Sequence, residues 1–310
     1  MEHVLVFAPS VADVWSGSMR FTYAEAMTDP SYYAPLAKAA EAAGYTSFSV
    51  ADSLIYPKES DTTYPYTDDG NREFLEDKEF IEIFTLIAAL GAVTERIRFT
   101  PFVLKLPVRP PALVAKQAMS IAALNGGRLG LGVGLSPWPE DFATMGVPWA
   151  RRGKRMDEAM DILRGLFTGE YFEYHGEFYD MPAIKMCPAP PEPIPLLVGG
   201  HSDAALRRSV VRGDGWMHAG GDPEELDAML AKLTAIREQE GKAGEPFEVH
   251  VISLDAYTPD GVKRLEDKGV TDAIVGFRWP YIKGSDTEPL QTKIDNLERF
   301  AEDVIAKAGS

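Results

Sequence analysis

Short apolar runs alternate along the chain with longer stretches whose apolar positions recur every three to four residues. The first kind reads as a strand buried on both faces, the second as an amphipathic helix. HVLVFAP (3–9) is followed by a helix over 32–43, and YTSFSVA (45–51) by one over 79–94. RIRFTPFVL (96–104) leads to a helix over 110–124 that opens on proline, which suits a first helical turn. GRLGLGVGL (127–135) leads to 151–167, IPLLVG (194–199) to 203–212, and DGWMHA (214–219) to 222–239. FEVHVISLDA (247–256) leads to 258–268, and DAIVGFRW (272–279) to 288–307. Eight strand–helix pairs in alternation predict a parallel sheet, and eight is the number that closes a (β/α)8 TIM barrel. One barrel domain over 1–310 is expected, because such barrels run as single units beyond the usual domain length. Three segments, 10–31, 52–78 and 168–193, exceed ordinary connections and read as insertions at the C-terminal face. The last alternates aromatic and polar residues around His175-Gly176, which predicts a hairpin with a proline-rich return.

Charge narrows the partners. The formal net charge of −16 opposes nucleic acid and anionic membrane, since both require basic surface. Small anionic ligands stay open, because they respond to the local field. Cys187 is the single cysteine, so neither an internal disulfide nor a thiolate metal cluster is available. It reads as a partly buried, passive thiol. The start, MEHVLVFAPS, lacks the basic residues and long apolar run of a signal peptide, and no apolar stretch reaches a membrane span. A cytoplasmic protein acting on a small molecule is the expectation.

Barrel active sites are built from residues just after the strands. Those positions here are Ala8-Pro9, Asp52-Ser53, Phe102-Val103, Leu135 to Trp138, Gly199-Gly200-His201, His218, Asp255 and Arg278-Trp279. The set is rich in glycine, aromatic and small residues and poor in acids and bases. It suits the seating of a flat cofactor better than hydrolysis. His3, His175, His201, His218 and His250 form no HxH or HExxH pair, so no metal is expected. GLSPW departs from GxSxG after its serine, which removes the nucleophile elbow.

Gly199-Gly200 stands where a strand hands over to a helix, ahead of Ser202, a good N-cap, and Asp203. One reading is a tight turn. The other is an anion cradle, because a helix N-terminus offers unpaired amides and glycine lets the backbone approach the anion. Gly130, Gly132 and Gly134 alternate inside a strand, unlike the turn glycines of a dinucleotide fingerprint. They bare one face, so another backbone or a ring can lie close. The basic run RRGKR (151–155) precedes a helix with Met156, Ala159, Leu163 and Leu166 on one face. It reads either as a solvated helix start or as a grip on an anionic cofactor tail.

Three segments carry a family resemblance. They are RIRFTPFVLKLPVRPPALVAKQAMSIAALNGGRLGLGVGL, PWARRGKRMDEAMDILRGLFTGEYFEYHGEFYDM and PIPLLVGGHSDAALRRSVVRGDGW. In order and spacing the chain resembles the bacterial-luciferase-like superfamily of flavin- or deazaflavin-dependent oxidoreductases. The resemblance implies a (β/α)8 barrel, usually a homodimer, with coenzyme F420 or FMN at the C-terminal mouth. It implies a cis peptide after the third strand, matched by Phe102-Val103, and a phosphate seat at Gly199 and Gly200. It also implies contact of an acid after the second strand, matched by Asp52, with the ring or its side chain. Gly134, Ser136 and His201 complete the expected cofactor contacts. Sugar-phosphate dehydrogenases of the family use a histidine and a glutamate where this chain has Ser53 and Pro137, which argues against that activity. SPWPEDF and RRGKRMDE look closer to deazaflavin enzymes than to luciferases, so F420 is the expected cofactor. The activity implied is hydride transfer between the deazaflavin and a small organic substrate. The alternatives are an FMN-dependent monooxygenase and a flavin-binding protein without turnover. Candidate proton donors are His218, Asp52 and Glu140, and Trp138, Trp216, Trp279 and Tyr281 are candidate cleft residues.

Overall fold

The alternation closes into a ring of parallel strands wrapped by helices. The computed structural model describes residues 19–64, 67, 69–277 and 283–308. The barrel strands are β1 (Arg20–Glu25), β2 (Ser47–Val50), β3 (Arg98–Pro101), β4 (Leu104–Lys105), β5 (Leu131–Gly134), β8 (Leu196–Gly199), β9 (Gly215–His218), β10 (Glu248–Val251) and β11 (Asp272–Val275). Their order, β3-β2-β1-β11-β10-β9-β8-β5-β4, is that of a ring, and all its pairings are parallel. β3 and β4 are one barrel strand broken at Phe102-Val103. A bridge from Phe99 to Leu129 and the pairing of β4 with β5 close the ring on either side of the break.

The outer helices are α1 (Tyr33–Ala43), α2 (Ile83–Gly91), α3 (Pro111–Leu124), α5 (Arg152–Phe167), α6 (Asp203–Arg212), α7 (Pro223–Gln239), α8 (Pro259–Asp267) and α9 (Leu290–Phe300). A short α4 (Pro139–Thr144) precedes α5. α1 shows why these stretches form helices against the sheet. Tyr33, Leu36, Ala37 and Ala40 recur at helical spacing and are buried, and Gly44 ends the helix at φ 95°, a left-handed conformation suited to glycine. The 168–193 segment holds the expected hairpin, β6 (Phe172–His175) against β7 (Asp180–Ile184). Cys187, expected to be partly buried, is exposed in the return after β7, where the chain runs over the surface.

The first barrel strand corrects the sequence reading. β1 occupies the slot between β2 and β11, inside the segment read as a loop over 10–31. Residues 3–9, expected to fill that slot, lie outside the described residues, as do Arg278, Trp279 and Tyr281. RFTYAE hides its strand character because its polar positions are buried too. Thr22 donates to Asp272 (2.6 Å), and Glu25 accepts from the Tyr23 hydroxyl (2.8 Å) and pairs with Lys293 (3.3 Å).

Side chains alternate between the lumen and the helix layer. The first residues of four strands, Arg20, Arg98, Glu248 and Asp272, meet across the N-terminal end of the lumen. Arg98 grips Glu248 with two nitrogens (2.9 and 3.1 Å), Arg20 adds a third donor (2.8 Å), and His250 Nε2 lies 2.7 Å from the same carboxylate. Burial alone would raise the Glu248 carboxyl, but Arg98, His250 and Arg20 together hold it well below the usual range. Gly130 leaves room for this layer, since a Cβ there would lie 2.7 Å from Arg98 Cζ.

Candidate active site at the barrel mouth

Towards the C-terminal ends of the strands the lumen turns apolar. Leu197, Met217 and Ile274 form a small core of their own, with Ala24, Phe102, Val103 and Ile252 packed on it and partly exposed. The Phe102–Val103 peptide bond is cis. The Val103 side chain lies on two glycines at neighbouring strand ends. A Cβ on Gly134 would lie 2.5 Å from Val103 Cγ2, and one on Gly199 would lie 2.8 Å from Val103 Cγ1. These glycines are therefore bare because Val103 lies over them. On Gly132 a Cβ would meet the Pro101 backbone and, at 2.7 Å, Met217 Sδ. The result is a shallow apolar floor whose upper side chains remain partly open.

Two buried ion pairs brace the chain that follows the break at Phe102-Val103. Asp52 accepts both guanidinium nitrogens of Arg109 (2.7 and 2.8 Å) and the Lys105 amide (2.8 Å). Arg109 also donates to the Lys105 carbonyl (3.2 Å). On the other side the Lys105 ammonium reaches Asp141 (2.7 Å), whose other hydrogen-bond partner is the Ser136 hydroxyl. Ser136 Oγ also accepts from the Trp138 amide (3.0 Å). Asp52, expected as a proton donor or ring contact, is thus committed to Arg109 and Lys105. Ser136, expected to touch the cofactor, is turned to Asp141. Both placements have one cause: the broken strand needs anchors on each side, and the nearest polar side chains supply them. Lys105, Arg109 and Asp141 escaped the sequence reading because each makes sense only through its partner.

At the start of α6 the two glycines differ. Gly199 yields to Val103, whereas Gly200 sits at φ 123°, where a side chain is strained whatever the space. Ser202 caps α6 by accepting from the Ala205 amide (3.3 Å). The Ala205 and Leu206 amides also donate to the Ser202 carbonyl (2.8 and 3.0 Å), so an anion seat here would use the amides of Asp203 and Ala204. Gly200 also accepts at its carbonyl from Trp216 Nε1 (2.9 Å), and Trp216 is buried on the helix side, outside the cleft.

His218 is next to Met217, which faces the lumen, so His218 faces the helix layer. There its ring stacks on His201, with centroids 4.6 Å apart. His218 Nδ1 accepts from the Gly220 amide (3.3 Å) and His201 Nε2 from the Ala219 amide (3.0 Å). Those acceptor roles place the neutral-ring protons on His218 Nε2 and His201 Nδ1. Burial, then the neighbouring His201, push His218 down to about 4, with the Ile252 backbone pulling the other way, and burial also lowers His201. The expected donor His218 is therefore neutral and directed away from the lumen. Glu140, on the first turn of α4, keeps a buried Oε2 without a hydrogen-bond partner and remains the candidate that the mouth leaves uncommitted.

The 52–78 segment covers this side of the mouth. Tyr64 stacks on Trp138 (6.0 Å), and the Arg72 guanidinium lies over both Tyr56 (4.8 Å) and Trp138 (5.3 Å). Trp138, expected as a cleft residue, is buried with its ring covered by the insertion. Among the described residues, no three of His, Cys, Asp and Glu converge as a metal site, and no helix is long and apolar enough to cross a membrane.

Fold and mouth together define a (β/α)8-barrel oxidoreductase. The chain belongs to the luciferase-like monooxygenase family, whose model matches residues 2–288. Protein Rv0940c of Mycobacterium tuberculosis is 70% identical to it over 289 residues, 93% of this chain and 100% of the relative. Pyrimidine monooxygenase RutA of Allorhizobium ampelinum is 30% identical over 240 residues, 74% of this chain and 60% of the relative. An F420-dependent secondary alcohol dehydrogenase, solved with an F420–acetone adduct, superposes with a TM-score of 0.70 over 94% of this chain and 99% of that one. At 15% identity this last likeness is one of fold.

Proposed function

We propose that the protein is a coenzyme F420-dependent oxidoreductase that transfers hydride to or from a small organic substrate. The observation that carries this reading is the apolar floor built on Val103 between Gly134 and Gly199. A floor of this kind fits the face of a flat, neutral ring and offers it no charged side chain. When bound, the reduced deazaflavin supplies a hydride from its central ring, so the chain itself needs little acid–base equipment. Val103 and Phe102 back the ring, while Asp52 and Asp141 hold their segment through Arg109 and Lys105. Gly200, His201 and the first-turn amides of α6 hold the phosphate. The 52–78 segment, through Trp138 and Tyr64, keeps water from the reacting face. Glu140 is the proton donor in this scheme. The protein works as a homodimer in the same reading, which its sedimentation behaviour tests.

A second reading, an FMN-dependent monooxygenase, draws support from the 30% identity to RutA. Anaerobic turnover separates the two. Reduced F420 should be reoxidised by the protein with a carbonyl, imine or activated-alkene acceptor, and with none of these in the absence of protein. Substrate-dependent oxygen uptake with reduced FMN, and no F420 oxidation with any acceptor, would overturn the proposal.

A further inference from the structure

The basic run at 151–155 divides into Arg151 and Arg155, which are spoken for, and Arg152 and the exposed Lys154, which are not. Arg151 pairs with Glu177. Arg155 donates to the Pro148 carbonyl (2.8 Å) and lies over the Phe178 ring (4.6 Å). Arg152 has no hydrogen bond or ion pair among the described residues, and its Nε is buried without a partner. Its guanidinium instead lies over the Trp149 ring, 3.6 Å from the centroid, and Trp149 meets Phe142 edge-on at 5.0 Å. Stacking fixes the plane of a guanidinium and leaves its N–H edge for an acceptor. A buried donor without an acceptor, in a chain of net charge −16, calls for an explanation.

The packing of α5 on α6 shows where that edge lies along the barrel. Arg212 bonds Asp161 (3.1 Å) and, one turn nearer the mouth, Arg208 bonds Asp157 (2.6 Å), each pair 51 residues apart in sequence. Arg208 also reaches the Gly153 carbonyl (3.2 Å). One further step of the same ladder sets Gly153 level with Ala204, in the first turn of α6. Arg152 thus stands at the start of α5, level with the start of α6. Most other charges there are already matched, Asp203 by Lys232 (2.7 Å), Arg208 by Asp157 and Arg151 by Glu177, and Lys154 is exposed to solvent. Two helix N-termini and one unmatched guanidinium therefore stand at the same end of the barrel.

We infer that Arg152 grips the phosphate-linked, negatively charged tail of the cofactor and so sets the enzyme's preference for the tailed over the phosphate-free form. The inference rests on the proposed seating of the cofactor at this mouth. Planar donors suit phosphate and carboxylate alike, so both the phosphodiester and the acidic tail beyond it are partners of the right chemistry.

The test is a set of equilibrium titrations with no turnover. Parent protein, Arg152→Gln and Arg152→Lys are titrated with F420 and with its phosphate-free deazaflavin core, at low and high salt. Arg152→Gln should bind F420 about 10- to 100-fold more weakly while binding of the core is unchanged. Arg152→Lys should retain part of the difference, and high salt should shrink the parent's preference for F420. Equal loss for both ligands, or loss for neither, overturns the inference while leaving the proposed function intact. Parent protein that binds FMN and not F420 overturns the ring assignment, and the ratio of FMN to riboflavin affinity in the three proteins then decides the role of Arg152 in the same way. Binding of neither cofactor by the parent overturns both.

Discussion

Replacing Gly199 by alanine should disturb the mouth through a single contact. The new Cβ would stand 2.8 Å from Val103 Cγ1 and 3.3 Å from Cγ2. The closer distance is about 0.6 Å short of an ordinary contact near 3.4 Å, and the residues that follow Val103 are pinned, Leu104 and Lys105 by pairing with β5 and Lys105 also by Asp52 and Asp141. Val103 therefore has to shift or the strand end has to open, which is overpacking of the kind that costs about 1–3 kcal/mol. Gly199 has no positive φ, so the effect is steric and not conformational. The structure also names the cure. In the Gly199→Ala, Val103→Ala double variant both methyls are gone, and the nearest remaining Val103 atom, Cβ, lies at 3.6 Å. A double-mutant cycle read by urea denaturation should give a favourable coupling of about 1–2 kcal/mol. F420 titration should show the single variants weakened, because either the floor is displaced or its platform is cut away. A Gly199→Ala protein as stable as the parent, or strictly additive losses in the double variant, would refute the claim that Val103 lies on these glycines.

Three further outcomes follow from the buried ionisable groups. Lys105→Met leaves the fully buried Asp141 carboxylate with Ser136 alone, and should lower stability by about 3–5 kcal/mol, visible as a fall in melting temperature; an unchanged melting temperature counts against the brace. Glu248→Gln strips Arg98, Arg20 and His250 of their shared anion and should cost a comparable amount, while Glu248→Asp recovers part of it in the same melts. His218 has a folded pKa of about 4, below its ordinary value of 6.5, so the unfolded chain takes up a proton first as pH falls. Its contribution is fully present above pH 6.5 and is lost between there and about 4, on the order of 2–3 kcal/mol. His218→Asn should flatten that part of the pH–stability profile, and a profile as steep as the parent's would contradict the assignment. Glu248, held low in the fold, adds a separate loss at more acidic pH.

The barrel was legible because strands of a parallel sheet are buried on both faces and read as continuous apolar runs. SFSV, LGVG and LLVG all sit in the ring where those runs predicted strands. β1 was not legible for the opposite reason. Arg20, Thr22 and Glu25 are satisfied by Glu248, Asp272 and Lys293, partners more than two hundred residues away, and no local pattern shows that. The site divides in the same way. Gly199 and Gly200 were found by position, at a strand end before a capped helix, yet their reasons differ and only the fold separates them: a valine lies over one, and the other has a left-handed φ. Asp52 and His218 were found as polar residues at strand ends. Position could not show that Arg109 already occupies the first, or that alternation turns the second outward.

The account's central claim is that this mouth seats a deazaflavin. Its most direct test is competitive binding: quenching of F420 fluorescence by the purified protein, with FMN added as competitor. The account expects saturable binding of F420 that an equal concentration of FMN leaves nearly unchanged. Displacement of F420 by FMN at lower concentration, or no quenching at all, would contradict it.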